Sequence, residues 1–177
     1  YGMHDVTTGT SFGTTGTSSW QEGEGCLEFQ VLDIKNKTYV NPRLLMPRVG
    51  KELQLTIKNV TAVNKKGTVF DLGTQKTLSS GVYQLYRERQ DIAMPYRTTV
   101  YINGAVAESL TYDTLSEKNG KIAVNGKKNY AVDVMYPDDE RQFLGEVTLA
   151  KGKTQIMIVA ADILGKEKQI VYTVEVR

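Results

Sequence analysis

Cysteine and histidine each occur once, as Cys26 and His4. A thiol nucleophile needs a base within reach, so these two residues are the only such pair the chain offers. Cys26 follows Gly23 and Gly25 without any local signature of a catalytic thiol, and reads as a small apolar filler at the start of a strand. One cysteine makes no internal disulfide, and one Cys with one His falls short of the usual zinc ligand set. Three successive carboxylates, Asp138, Asp139 and Glu140, follow Pro137. Calcium loops space their ligands, so this run reads as a solvated turn. Asp162 and Glu167 are the pair that a glycosidase reading would take, one carboxylate on each side of a scissile bond, although Asp162 also has a role in a turn. No phosphate-cradling Gly-x-x-x-x-Gly-Lys occurs. These residues predict no catalytic centre, no metal and no cofactor.

Binding chemistry has more material. The chain holds ten Tyr and one Trp, and an aromatic ring with a polar tip suits both sugar stacking and protein contacts. The candidate ligand-binding residues are Trp20, Tyr83, Tyr86, Tyr96 and Tyr101. Trp20 is either a platform for a sugar ring or partner, or an anchor for the segment before it. Tyr83 and Tyr86 lie on opposite strand parities, which turns at least one of them outward. Tyr96, Tyr101 and Tyr112 form a second group near an expected domain junction. Core and cross-strand packing is the competing role for all of these. The basic set Lys65, Lys66, Arg87, Arg89, Lys127 and Lys128 reads as spread over wet faces and turns. A net charge of +2 supplies no global field for nucleic acid or an anionic membrane. The sequons at Asn36 and Asn59 are short patterns that matter only in a host that glycosylates asparagine.

The elements that must position these residues are strands. Val, Thr, Ile and Tyr number 18, 19, 9 and 10 against 9 Ala, a bias toward side chains that fit a pleated surface. Residues 1–20 hold six Thr, four Gly and three Ser, the composition of an arm or linker, and Tyr1 with no apolar leader after it suggests a processed chain or a fragment. Period-two alternation begins at Leu27, Phe29 and Val31 and is cleanest at Leu53, Leu55 and Ile57. Further strands are predicted over residues 37–40, 43–46, 67–72, 82–87, 98–102, 121–124, 130–136, 143–149, 154–161 and 170–176, with a short helix or crossing over 85–94. Asn103-Gly104 and Asn125-Gly126 have the chemistry of type I′ hairpin turns. Residues 154–161 are apolar on both parities, as a strand covered on both faces requires.

Val124-Asn125-Gly126-Lys127, the strand expected over 130–136, and the run FLGEVTLAKGKTQIMIVAADILGKEKQIVYTVEV from Phe143 to Val176 together resemble bacterial immunoglobulin-like modules over residues 121–177. In such modules an Asp-x-x-Gly turn, here Asp162 to Gly165, joins the last two strands. Lys153 and Lys166 stand where the modules often have Asn. The resemblance implies a sandwich fold and an accessory role. Such modules occur in secreted carbohydrate-active enzymes, adhesins, surface lipoproteins and phage tails, usually without catalytic residues of their own.

The combined expectation is an all-β chain with an arm at 1–20, a β-rich N-terminal domain at 21–95 and an immunoglobulin-like β-sandwich at 96–177. The expected role is a non-catalytic extracellular or envelope module, inserted in no membrane, that binds a partner protein or glycan, spaces or anchors. Unpaired strand edges, or the arm docking on a neighbour, are the expected means. The alternatives are a virion or tail structural protein, and a hydrolase with its site in the N-terminal half.

Overall fold

The computed structural model describes residues 7–11, 29–47, 51, 53–90 and 95–177. The chain divides into two units, Tyr1–Gln30 and Val31–Arg177. In the first, residues 7–11 form a turn in which Thr10 N–H donates to Thr7 O at 3.0 Å. Of the arm expected over 1–20 only this turn is described; His4, Trp20 and Cys26 lie outside the described residues.

The second unit consists of β1 (Val31–Asp33), β2 (Thr38–Val40), β3 (Thr61–Asn64), β4 (Val69–Asp71), β5 (Thr77–Leu78), β6 (Gly81–Glu88), β7 (Arg97–Ile102), β8 (Ala105–Lys118), β9 (Lys121–Asn125), β10 (Tyr130–Ala131), β11 (Arg141–Leu149), β12 (Gly152–Ala161) and β13 (Glu167–Val176), with a 3-10 turn at Pro42–Leu44 and one α-helical turn, α1, at Val132–Met135. The larger sheet runs β1-β2-β8-β7-β12-β13-β5, with β9 and β10 attached to the far part of β8. The smaller runs β11-β6-β3-β4. The fold is therefore all-β and built from two sheets, as the composition requires.

One core lies between the sheets. Ala62, Tyr83, Leu85, Leu144 and Val147 from the smaller sheet meet Val100, Ile156, Ile158, Val174 and Val176 from the larger. Each fully buried aliphatic side chain of this kind contributes roughly 2 kcal/mol. Alternation places them: in β13, Val174 and Val176 are buried while Thr173 and Glu175 face solvent. In β12 the inner residues Ile156, Ile158 and Ala160 are buried, but Gln155 is exposed and Met157 and Val159 are only half covered. The expectation of two covered faces thus holds for one face alone.

The core also removes the expected boundary at residue 95. β6 precedes it and β11 follows it, yet they pair along eight positions from Glu88–Arg141 to Gly81–Leu149. Long-range pairing of this kind leaves no local trace in composition.

Several elements differ from expectation for local reasons. Residues 43–46 contain the 3-10 turn, with Pro42 at its start and the Asn41 side chain accepting from Arg43 N–H. Residues 53–58 are assigned to no strand, and Leu53 is 52% exposed. They approach the end of β6 through single bonds, such as Glu88 N–H to Lys58 O at 3.1 Å. In place of the helix or crossing expected over 85–94, β6 continues to Glu88, and residues 91–94 lie outside the described residues. The strand expected over 130–136 is β10 followed by α1, whose Met135 is buried. Asn103 and Gly104 take the two positive φ values of a type I′ turn, 49° and 83°. Asn119 and Gly120, at 53° and 74°, close β8 onto β9, a turn that Asn125-Gly126 was expected to supply elsewhere.

Candidate functional site

The carboxylates proposed for chemistry are held by turns. Asp162 Oδ1 accepts from Leu164 N–H at 2.8 Å and Lys166 N–H at 2.9 Å, so the Asp-x-x-Gly turn forms. Glu167 instead pairs with Arg97 at 3.5 Å. Asp138 Oδ1 accepts from Glu140 N–H and Arg141 N–H, while Oδ2 takes Arg141 Nε and Nη2 at 2.7 Å each. That grip by Arg141 holds the Asp138 carboxyl below its usual range. No group of three metal-ligating side chains is formed among the described residues.

The tyrosines separate. Tyr83 is buried, edge-on to Phe70 at 6.1 Å, and its hydroxyl donates to Ser79 O at 2.8 Å. Tyr86 is buried too, with Phe143 at 5.6 Å and the Arg141 guanidinium 5.3 Å from its ring centre. The parity argument fails because Tyr86 is packed under Phe143 and Arg141 although its own face of the strand is only partly covered, Val82 and Gln84 being half-buried and Glu88 exposed, so neither ring is open to a sugar. Tyr96 is half-buried and supports β7 through its backbone: its N–H donates to Ala161 O and its C=O accepts from Tyr112 N–H. Tyr101, also half-buried, sits opposite Met157 and Val106. Tyr96 and Tyr112 are therefore neighbours, and Tyr101 is not.

Arg87 is the basic residue that departs from a wet face, being 1% exposed. Its Nε and Nη2 both donate to Gln142 Oε1, at 2.8 and 2.6 Å, and Nη1 donates to Thr56 O. Gln142 Nε2 in turn reaches the hydroxyls of Tyr112 and Tyr136 at 3.2 and 3.3 Å. No carboxylate pairs with this guanidinium among the described residues. Burial pulls its pKa down, opposed by the two phenols, and burial pushes both phenols up. A shallow cleft of about 560 Å³ lies nearby in sequence, lined by Asn59, Thr61, Glu88, Arg89, Glu140 and Arg141 among others. Some of its groups partner one another, as in Asn59 to Glu88. The Thr61 hydroxyl is the one buried side-chain polar atom without a partner among the described residues.

A second cleft, of about 390 Å³, runs between β11 and the β7–β8 hairpin. Ile102, Val106, Ala107 and Val147 give it apolar walls, and Lys127, Lys128 and Glu146 edge it. Glu108, 0% exposed, is also among the residues that line it. A bulge in β8 between the partners of Val100 and Tyr101 sets the position of Glu108. Its Oε1 accepts from Lys127 N–H at 2.8 Å and Ser109 N–H at 3.0 Å, and its Oε2 from the Tyr130 hydroxyl. Burial and this bond raise the Tyr130 phenol. Two glycines make room: a Cβ on Gly145 would lie 2.7 Å from Glu108 Cβ, and one on Gly126 would lie 2.7 Å from Leu110 Cδ2. Lys128 pairs with Glu146 at 2.9 Å, and that pairing raises its pKa. Sequence reasoning missed Glu108 altogether; only the glycine at 126 hinted at a close approach.

Residues 9–13 spell Gly-Thr-Ser-Phe-Gly, the spacing of a nucleophile elbow. That elbow is a strand–turn–helix. Only the turn at 7–11 is described, so Ser11 receives no role.

The chain belongs to a family of uncharacterised proteins whose sequence model matches residues 54–177. The matched segment spans both sides of residue 95. No curated protein matches the chain.

Proposed function

We propose that the chain is a non-catalytic binding or spacing module of an extracellular or cell-envelope assembly, with a partner protein or a glycan as its ligand. The observation that carries the reading is how its charged side chains are spent. Arg87 is used on Gln142 and Thr56, Glu108 on Tyr130 and two backbone amides, Asp162 on its own turn and Asp138 on Arg141. A general acid or nucleophile must be poised toward substrate, whereas Arg87, Asp162 and Asp138 are turned to structural partners, and Glu108, though it lines a cleft, is fully buried and bonded through both oxygens. The resemblance of residues 121–177 to immunoglobulin-like modules supports the surface setting.

The test is capture by the immobilised intact chain, from a glycan array and from extracts of cells bearing candidate partners. The reading expects saturable capture of a protein or glycan and no chemical change in it. Turnover of a sugar or ester substrate that Glu108→Gln abolishes would contradict it. Loss of capture with Trp20→Ala would place the platform at that ring, and deletion of residues 1–19 tests whether the arm does the docking.

A further inference from the structure

We infer that the chain pairs with a second copy of itself along the free edge of β13, antiparallel and two-fold symmetric, with Ile170 of each copy opposite Ile170 of the other. The inference goes beyond the module reading and does not depend on it.

The edge is selected by its length, regularity and exposure. β13 pairs with β12 over its whole length without a register shift, so it presents an edge that neither a bulge nor a proline blunts. On its other side β5 reaches only Glu175 and Val176. Glu175 N–H donates to Lys76 O and Arg177 N–H to Leu78 O, so the odd-numbered residues point their backbone groups away from β12. By alternation Glu167, Gln169, Val171 and Thr173 do the same, and no described strand receives them. Among the other edges, β1, β4 and β5 have three, three and two residues, and β11 is buried at six of its nine. In β13 only Val174 and Val176 are buried.

The occupant follows from the symmetry of this free span. A two-fold interface sets residue i against j and j against i, and here only odd residues can exchange hydrogen bonds. Centred on Ile170, Glu167 meets Thr173 and Gln169 meets Val171, so all four outward residues are used and no like charges face each other. Centred on Val171, Glu167 would meet Glu175, a like charge on a residue that β5 already holds. Centred on Gln169, Thr173 would meet Gly165, which lies in the Asp162 turn with a φ of 79°. On the inner face the register centred on Ile170 sets Ile170 against Ile170 and Lys168 against Tyr172. Ile170 and Tyr172 are half-buried at the margin of the core, and a second copy extends their cover. Lys168, the one charge of the free span on that face, meets an aromatic ring whose hydroxyl lies in the field of Asp71.

The test is sedimentation equilibrium of the full chain, joined by crosslinking of two variants in a Cys26→Ser background that lacks the native thiol. The expected result is a monomer–dimer equilibrium with a Kd below about 1 mM. Val171→Pro removes only the outward N–H that each copy gives to Gln169 O, at an edge position where proline is tolerated, and raises that Kd about thirtyfold, the loss of two backbone hydrogen bonds. Mild oxidation of Ile170→Cys gives a disulfide-linked dimer, because a directly opposed pair without mutual hydrogen bonds has Cα atoms about 4.5 Å apart. Val171→Cys, whose two copies stand diagonally at about 7–8 Å, crosslinks about tenfold more slowly. If Val171→Pro fails to fold, the two cysteine variants decide alone. A chain that stays monomeric overturns the inference, as does a dimer indifferent to Val171→Pro or one linked faster through Val171→Cys than through Ile170→Cys. A monomeric chain whose 167–173 amides are protected by a captured partner gives the edge to a foreign strand, which overturns the second copy and leaves the module reading standing.

Discussion

Arg87 and its neighbours show how a buried charge is kept without a carboxylate. The guanidinium gives three hydrogen bonds to Gln142 and Thr56, so removing the acceptor is worse than removing the donor. Gln142→Ala leaves a desolvated charge and is expected to cost about 3–5 kcal/mol, whereas Arg87→Met leaves neutral acceptors and is expected to cost about 1–3 kcal/mol. Urea midpoints of the two variants check the order. Tyr112 and Tyr136 add a pH signature. Their folded pKa values lie above the ordinary 10.0, so the stability they supply is complete below that pH and is lost as the pH rises through the raised values. The urea midpoint should therefore fall above about pH 10, and less so in the Tyr112→Phe/Tyr136→Phe variant. This site was not legible beforehand. Arg87 stands beside Glu88 and Arg89 in a stretch that reads as polar, and only the partner strand β11 brings Gln142 to it.

Two Asn-Gly dipeptides lie six residues apart around β9, and they are alike in letters only. Gly120 is needed for its φ of 74° and has open space around it, so Gly120→Ala should cost about 1 kcal/mol through backbone strain alone. Gly126 has no positive φ, and its missing side chain clears Leu110, Glu108 and Tyr130. Gly126→Ala should therefore cost more, about 1–3 kcal/mol, and should disturb the Glu108–Tyr130 bond. Thermal melts give the ranking, and equal small losses would show that the clearance is unimportant. Strands at 98–102, 143–149 and 170–176 were readable because alternation and turn residues agreed. Residues 130–136 alternate just as well yet include a helical turn, since Met135 must reach the small core around Phe143 and Tyr130.

At the scale of the molecule, the core between the sheets takes side chains from both sides of residue 95, and separating them there would strip β7, β12 and β13 of Ala62, Tyr83 and Leu85. A fragment of residues 96–177 is expected to lack cooperative unfolding, which circular dichroism melts would reveal. The all-β class was legible from composition, because β-branched and aromatic residues bias a chain before any contact forms. The boundary was not, since Pro95 punctuates the chain locally while the β6–β11 ladder joins distant segments. Amide hydrogen exchange on the intact chain tests the joining of the two sheets across residue 95 most directly. The account predicts that inner amides of β6, β7 and β12 exchange together at the slowest rate. Separate exchange classes divided at residue 95 would contradict it.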